Sequence, residues 1–256
     1  MLQKKKFEKN NIEESIVKAI LFIMALTSII SLGLIAFFIF KEGFPFMLDY
    51  GISDFVFGTT WDPMNQVYGI FPMIIGSIIV TILAIVIGAP IGIAVAVYLE
   101  EIAHPRVARA IRPAVQLLEG IPSVVIGLFG MVVIIDVIRR LSRGPLSEFL
   151  PAEYQTGYSV LAGALILAIM ILPTVITISA DSIRAVPYEY KEAAYGVGST
   201  RWQAIYRVIV PAAKSGIIAA VMLGLGRALG ETMAVTMVIG NHPQIDLSLF
   251  MPAQTM

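Results

Sequence analysis

Arg227 and Glu231 are the residues whose type and spacing point most directly to chemistry. They lie in Gly226-Arg227-Ala228-Leu229-Gly230-Glu231-Thr232-Met233, inside an otherwise apolar block. Read as continuous helix, an i,i+4 pair shares one face. A charge at mid-bilayer costs roughly 2.5–3.5 kcal/mol on insertion scales, so such residues are retained where they face a bundle interior or a water-filled path. Two readings stand side by side. The pair is a structural lock between helices, or it is an anion site in which Arg227 binds, Glu231 holds the guanidinium until substrate arrives, and Thr232 lies alongside. A guanidinium offers a planar fork suited to tetrahedral oxyanions. A carboxylate only accepts hydrogen bonds, so Glu231 repels fully ionised sulfate or molybdate. Phosphate near neutral pH keeps a proton to donate, and the pair therefore favours phosphate.

A second acid, Glu119, begins Glu119-Gly120-Ile121-Pro122-Ser123. With Pro122 and Ser123 it either lines the cytoplasmic end of a path or simply sits at the membrane interface. Asp136 with Arg139 and Arg140 reads as an outer helix end. His104 and His242 each lie in or beside a loop near proline and read as solvated. With no cysteine, thiol chemistry, disulfides and Cys-based metal sites are excluded. No nucleophile–base constellation or metal cluster suggests an enzyme, and nothing suggests a nucleic-acid partner.

The elements that must position these residues are membrane spans. The 256 residues are 57% hydrophobic and 14% charged, with mean hydropathy +0.84. The apolar residues come in blocks long enough to cross a hydrocarbon core about 30 Å thick. Five spans are expected, at 16–40, 70–99, 114–137, 158–180 and 215–239. Pro90 is expected to kink or tilt the second, and Pro173 interrupts the fourth. Residues 1–15 form an N-terminal tail, 16–240 the transmembrane domain and 241–256 a polar tail. Residues 41–69 form a loop with Trp61 and Tyr68 as interfacial anchors, and 100–112 a charged loop. Lys and Arg at positions 4, 5, 6, 9, 18, 106, 109, 112, 184, 191, 201, 207 and 214 fall on the N-terminal side, against 41, 139, 140 and 143 opposite. The positive-inside rule puts the N-terminus in the cytoplasm and the C-terminus outside.

The loop 181–214 is patterned like a docking element. Residues 188–196 favour helix after Pro187, and Gly196 and Gly198 break it. Thr200 with Gln203 fits a capping box. Trp202, Ile205, Tyr206 and Ile209 fall on one apolar face, and Pro211 closes the segment. Small Ala193, Ala194, Gly196 and Gly198 permit close approach of a partner surface; the alternative is a helix lying on the membrane.

Glu192-Ala193-Ala194, Gly198 and Val208-Ile209-Val210-Pro211 resemble the signature of permease subunits of ABC importers: Glu-Ala-Ala, three residues, Gly, nine residues, Ile-x-Leu-Pro. Val stands here where Ile and Leu are commonest. Gly120-Ile121-Pro122-Ser123-Val124-Val125, the Arg227/Glu231 segment and the tail Leu249-Phe250-Met251-Pro252-Ala253-Gln254-Thr255-Met256 are similar to the PstC type of phosphate-specific importer. The resemblance implies an all-α polytopic bundle of the type I importer permease kind, in a prokaryotic cytoplasmic membrane. It implies a coupling helix at Glu192, Ala193, Ala194 and Gly198, with Arg227 and Glu231 as path charges. The implied partners are a PstA-like permease, a PstB-like ATPase dimer and a PstS-like phosphate-binding protein. The chain has no GxxxxGK[ST] loop, so ATP and magnesium belong to the ATPase and no cofactor to this chain. The family has six spans, and the sequence stops where a sixth is expected. Rival expectations are the same fold carrying sulfate or molybdate, and a channel or secondary transporter outside the ABC class.

Overall fold

The computed structural model describes the backbone of residues 2–243 and 248–256, and side chains from residue 14 onward in those ranges. The basic side chains Lys4, Lys5, Lys6 and Lys9 of the expected tail, and residues 244–247, lie outside the described residues.

The chain divides into residues 1–57 and 58–256. In the first unit, α1 (Leu2–Tyr50) is one helix containing Pro45. It runs past the expected end at Phe40 because Lys41 and Glu42 favour helix and apolar residues resume at Phe44. Gly51, at φ 97°, turns the chain into α2 (Ile52–Phe57). The Phe46 ring then meets those of Tyr50 and Phe55, each at a centroid distance of 6.1 Å.

The second unit opens with a two-stranded hairpin, β1 (Trp61–Asp62) and β2 (Val67–Tyr68). Trp61 and Tyr68 face each other across it, ring edge to face at 5.8 Å. Two long apolar helices follow in the places expected. α3 (Phe71–Val97) passes through Pro90 and continues as a π-turn, Tyr98–Ile102. α7 (Val160–Arg184) starts on Ser159, whose hydroxyl accepts the Ala162 N–H, and passes through Pro173.

The third expected span is two helices. α4 (Pro105–Glu119) takes in most of the expected charged loop and is capped by the His104 imidazole, which accepts the Arg106 N–H. Gly120 and Pro122 end it, and α5 (Ser123–Phe129), a π-turn and α6 (Ile135–Arg143) continue at 98° to it. Asp136 pairs with Arg140 at 2.7 Å within α6. Arg139 and Arg143 donate to the carbonyls of Thr156 and Gln155.

After α7 come α8 (Tyr188–Gly196), α9 (Arg201–Ala204), a π-turn at Ile205–Ile209 and α10 (Val210–Ala212). Pro187 precedes α8 as its cap residue, and the Thr200/Gln203 capping box is formed in both directions. Pro211 lies within α10 and does not stop it; the 67° bend comes at Ala213. The expected single apolar face splits. Ile205 and Ile209 are buried with Ile183 and Ile217, while Trp202 and Tyr206 are exposed. The π-turn alters the angular step between residues, so only the isoleucine edge of the stripe meets the core. The last span is also broken: α11 (Lys214–Leu229) and α12 (Met233–Ile239) flank Gly230-Glu231-Thr232.

Three described helices are long and apolar enough to cross a membrane, and each bent pair, α4 with α5–α6 and α9–α10 with α11, could supply a further span. Their packing follows the membrane rule that small residues bring backbones together. A Cβ on Gly88 or Gly92 of α3 would lie 2.9 Å from Ile171 or 2.8 Å from Val175 of α7. Val80, Leu167, Ile171, Ala228 and Val235 fill the space between α3, α7, α11 and α12. The end of the polar tail is docked on the bundle. The Val160 N–H donates to the Met251 carbonyl, the Met256 N–H to the Ser77 hydroxyl, and Met251 and Ala253 are buried.

Candidate functional site

Arg227 sits in the last turn of α11, where helix carbonyls left without partners favour a cation. Its Nη1 donates to Glu119 Oε1 at 3.0 Å and to Thr174 Oγ1 at 3.1 Å. Thr174 in turn donates to Glu119 Oε1 at 3.2 Å. Three helices therefore meet at one cation: the C-terminal end of α4, the middle of α7 just beyond Pro173, and the end of α11. Glu119 lies at the negative end of the α4 dipole, a poor place for a carboxylate; the guanidinium and the hydroxyl compensate. Among the described residues, Nε and Nη2 of Arg227 make no hydrogen bond, so the bidentate edge of the guanidinium remains open. The side chains of Arg227 and Glu119 are 29% and 47% exposed, so water or a ligand reaches them.

Glu231 is elsewhere. The i,i+4 relationship to Arg227 requires continuous helix, and Gly230-Glu231-Thr232 interrupts it. The Glu231 carboxylate accepts the Ala234 N–H at 3.0 Å, one of the amides left unpaired where α12 begins. Thr232 is exposed in the same break, and its carbonyl accepts the Thr236 N–H. Pro122 lies in the other break, between α4 and α5, and Ser123 is the first residue of α5. The two broken segments pack together, since a Cβ on Gly127 of α5 would stand 3.0 Å from Ala234 Cα of α12. Glu119 thus joins Arg227, while Glu231 serves the backbone. Thr174 was missed; it follows Pro173 in an apolar block that also holds Thr177 and Ser179, and nothing in the sequence sets it apart from them.

A second polar centre ties the patterned loop to the bundle. Glu100 and Glu101, adjacent on the π-turn after α3, point to different partners. Glu100 pairs with Arg112 of α4 and Arg184 of α7, each at 2.8 Å. Glu101 pairs with Lys191 of α8 at 2.6 Å, and its carbonyl accepts a bond from Arg201 of α9. Both carboxylates are over nine-tenths buried. A cavity of about 110 Å³ beside Arg112 and Arg184 extends along α4 and α7 to Gln116 and Thr177, each three residues from a member of the Arg227 triad.

Within the loop, Glu192 and Ala193 are exposed and Ala194 is buried, so Ala194 packs inward and offers no surface. Gly198 has φ 81°, its N–H donates to the Tyr195 carbonyl, and the Ser199 N–H donates to that of Ala194. This is a Schellman closure of α8. A Cβ at Gly198 would meet nothing within 4 Å, so backbone conformation, not crowding, calls for glycine.

Residues 88–255 match the family model described as binding-protein-dependent transport system inner membrane component. The chain belongs to this family. Among its relatives, "Probable ABC transporter permease protein YqgH" of Bacillus subtilis is 40% identical over 226 residues, 87% of this chain and 70% of that protein. "Phosphate transport system permease protein PstC" of Mesorhizobium japonicum is 39% identical over 240 residues, 90% and 73% of the two chains. The protein of the same name from Haemophilus influenzae is 38% identical over 210 residues, 78% and 67%. Family membership and the apolar helices make this a multi-pass membrane protein of the transporter permease class.

Proposed function

We propose that the chain is a permease subunit of an ATP-driven importer of inorganic phosphate and forms half of the path by alternating access. The observation that carries this reading is Arg227, held at one edge by Glu119 and Thr174 with its bidentate edge open. It lies in a chain 38–39% identical to proteins named as phosphate transport permeases. A fork of parallel N–H groups among apolar helices suits a tetrahedral oxyanion. A cavity beside Arg112 and Arg184, reaching Gln116 and Thr177, lies farther along α4 and α7 and would be the next stage of the path.

The loop 188–211 would take the push of a separate ATPase. Glu192, Ala193, Trp202 and Tyr206 are available to that partner, and Lys191 and Arg201 pass its motion to Glu101 at the end of α3. With no phosphate-binding nucleotide loop in the sequence, ATP and magnesium belong to the ATPase dimer, and this chain needs no cofactor. A second permease would complete the path, an external phosphate-binding protein would deliver substrate, and the N-terminus would face the cytoplasm. The deciding experiment is ATP-dependent uptake of radiolabelled phosphate by vesicles holding the whole complex, with Arg227→Ala as control. Uptake that survives Arg227→Ala undiminished refutes the site. Wild-type uptake of sulfate or molybdate in place of phosphate refutes the substrate.

A further inference from the structure

We infer that an open cavity between the end of α3 and α4 binds the phosphodiester headgroup of an anionic phospholipid. Neither the anion at Arg227 nor transport enters into this; the site needs only the membrane class of the chain.

The depth of the cavity follows from the sequence of α3. Phe71–Val97 holds no charged residue, and at about 1.5 Å per residue it is long enough to cross the hydrocarbon core. The first charges beyond it are Glu100, Glu101, Arg106, Arg109 and Arg112, so the π-turn and the start of α4 lie at headgroup level. There a cavity of about 540 Å³ opens beside Leu99, Ala103 and Ala108, with Arg109 and Arg112 in its wall. That size falls within the usual range of ligand sites, roughly 300–1,000 Å³. A bare oxyanion, the size of a few waters of about 30 Å³ each, fills little of it.

The charges in the wall are not balanced by protein. Arg109 is exposed and makes no hydrogen bond or ion pair among the described residues. Arg112 gives Nη2 to Glu100, and its Nε is enclosed without a partner. Glu100 is the one acid in the wall among the described residues, and it is already spent on Arg112 and on two bonds from Arg184. The first turn of α4 carries no acidic residue, and Arg106 there stands at the positive end of the helix dipole, where an anion is favoured. A phosphodiester supplies the missing negative charge, as in other basic pockets beside spans. A zwitterionic headgroup adds an ammonium that finds no uncommitted carboxylate in the wall. The apolar wall, with Tyr98, Ile102 and Val107 exposed on the same elements, suits the glycerol and first methylenes of a lipid. Arg112 also borders the smaller cavity against α7, so free phosphate is the rival bearer of the same chemical group.

The test measures equilibrium binding of radiolabelled phosphatidylglycerol to the delipidated membrane complex in detergent, with unlabelled phosphatidylcholine or inorganic phosphate as competitor. The wild type is expected to hold the label saturably, to release it to unlabelled phosphatidylglycerol, and to keep it against equal concentrations of either competitor. Arg109→Gln should weaken one saturable site about fivefold, the scale of one arginine near an anionic lipid surface. Arg109→Glu should weaken it further, and Arg109→Lys should nearly restore it. Arg109 has no protein partner to lose, so these variants are expected to assemble normally. Arg140→Gln, which removes an exposed arginine from α6, should leave binding unchanged. Displacement by phosphatidylcholine as effective as by phosphatidylglycerol overturns the anionic headgroup. Displacement by inorganic phosphate at equal concentration overturns the lipid in favour of free phosphate. Wild-type affinity in both Arg109→Gln and Arg109→Glu, or no saturable binding at all, overturns the site. Loss of the phosphate-import reading in the uptake experiment leaves each of these outcomes as it stands.

Discussion

Arg227 donates to Glu119 at 3.0 Å across 108 positions of chain, while Glu231, four residues away, turns to the backbone of α12. This ion pair is the point at which α4 and α11 touch chemically, with Thr174 of α7 wedged between them. An anion that engages Arg227 therefore acts on three helices at once. Binding and helix movement are joined through a single guanidinium.

Arg227→Lys keeps the charge and loses the fork. Lysine can retain a contact with Glu119 but cannot offer two parallel N–H groups to an oxyanion. Loss of one charge-assisted hydrogen bond, about 1.5–3 kcal/mol, should lower phosphate uptake roughly 10- to 100-fold. Co-purification of the complex should be unaffected. Wild-type uptake in Arg227→Lys would show that bidentate contact is not used.

Glu231 should behave as a helix-start residue. Glu231→Gln keeps an oxygen for the Ala234 N–H and should transport phosphate near the wild-type rate. Glu231→Ala leaves that amide unpaired and should cost about 0.5–2 kcal/mol, the range for losing a side-chain cap. Thermal denaturation of the purified complex reads the stability difference, and vesicle uptake reads function. Equal damage from both substitutions would point to a need for the charge itself.

What the sequence makes legible is local. The α3 and α7 spans stand out as apolar blocks, and α8 and the Thr200/Gln203 box follow from neighbouring side chains. The Arg227–Glu119 pair is invisible to such reasoning because its members lie on different helices, and no periodicity reports a contact between them. The break at Gly230-Glu231-Thr232 is nearly as hidden, since the apolar pattern runs on through α12 and only Gly230 hints at an end. The π-turn at Ile205–Ile209 separates Trp202 and Tyr206 from the isoleucines that a regular helix would place beside them. Glu100 and Glu101 look like a solvated loop pair until α4, α7 and α8 close over them.

Gly198→Ala isolates backbone conformation from packing. The position is left-handed, and an added methyl meets no neighbour. The expected cost is about 1–2 kcal/mol, and Gly198→Asn, which tolerates that conformation better, should cost less. Both are measured as thermal stability of the complex together with retention of the ATPase on purification. If Gly198→Ala is as stable as wild type but sheds the ATPase, the glycine is needed at the partner surface and not for the Schellman turn.

Lys191 and Glu101 join the patterned loop to the end of α3, and breaking them should separate ATP hydrolysis from transport. Both side chains are largely enclosed, 21% and 8% exposed. Removing the lysine alone leaves a carboxylate buried without its cation, a change that typically costs about 3–5 kcal/mol. Lys191→Met should therefore lower the melting temperature of the complex. The double variant Lys191→Met with Glu101→Gln removes both charges, and should recover most of that loss because the unpaired charge is gone. Transport should not recover with it, since Arg201 is then the remaining polar link from the loop to α3, beside the apolar packing of Ile205 and Ile209 on Ala96. The expected signature is a stable complex that hydrolyses ATP at a rate less dependent on the external binding protein, with phosphate uptake reduced several-fold. Recovery of stability and uptake together would make the pair a structural fastening. Recovery of stability alone places it in the line of force between ATPase and path.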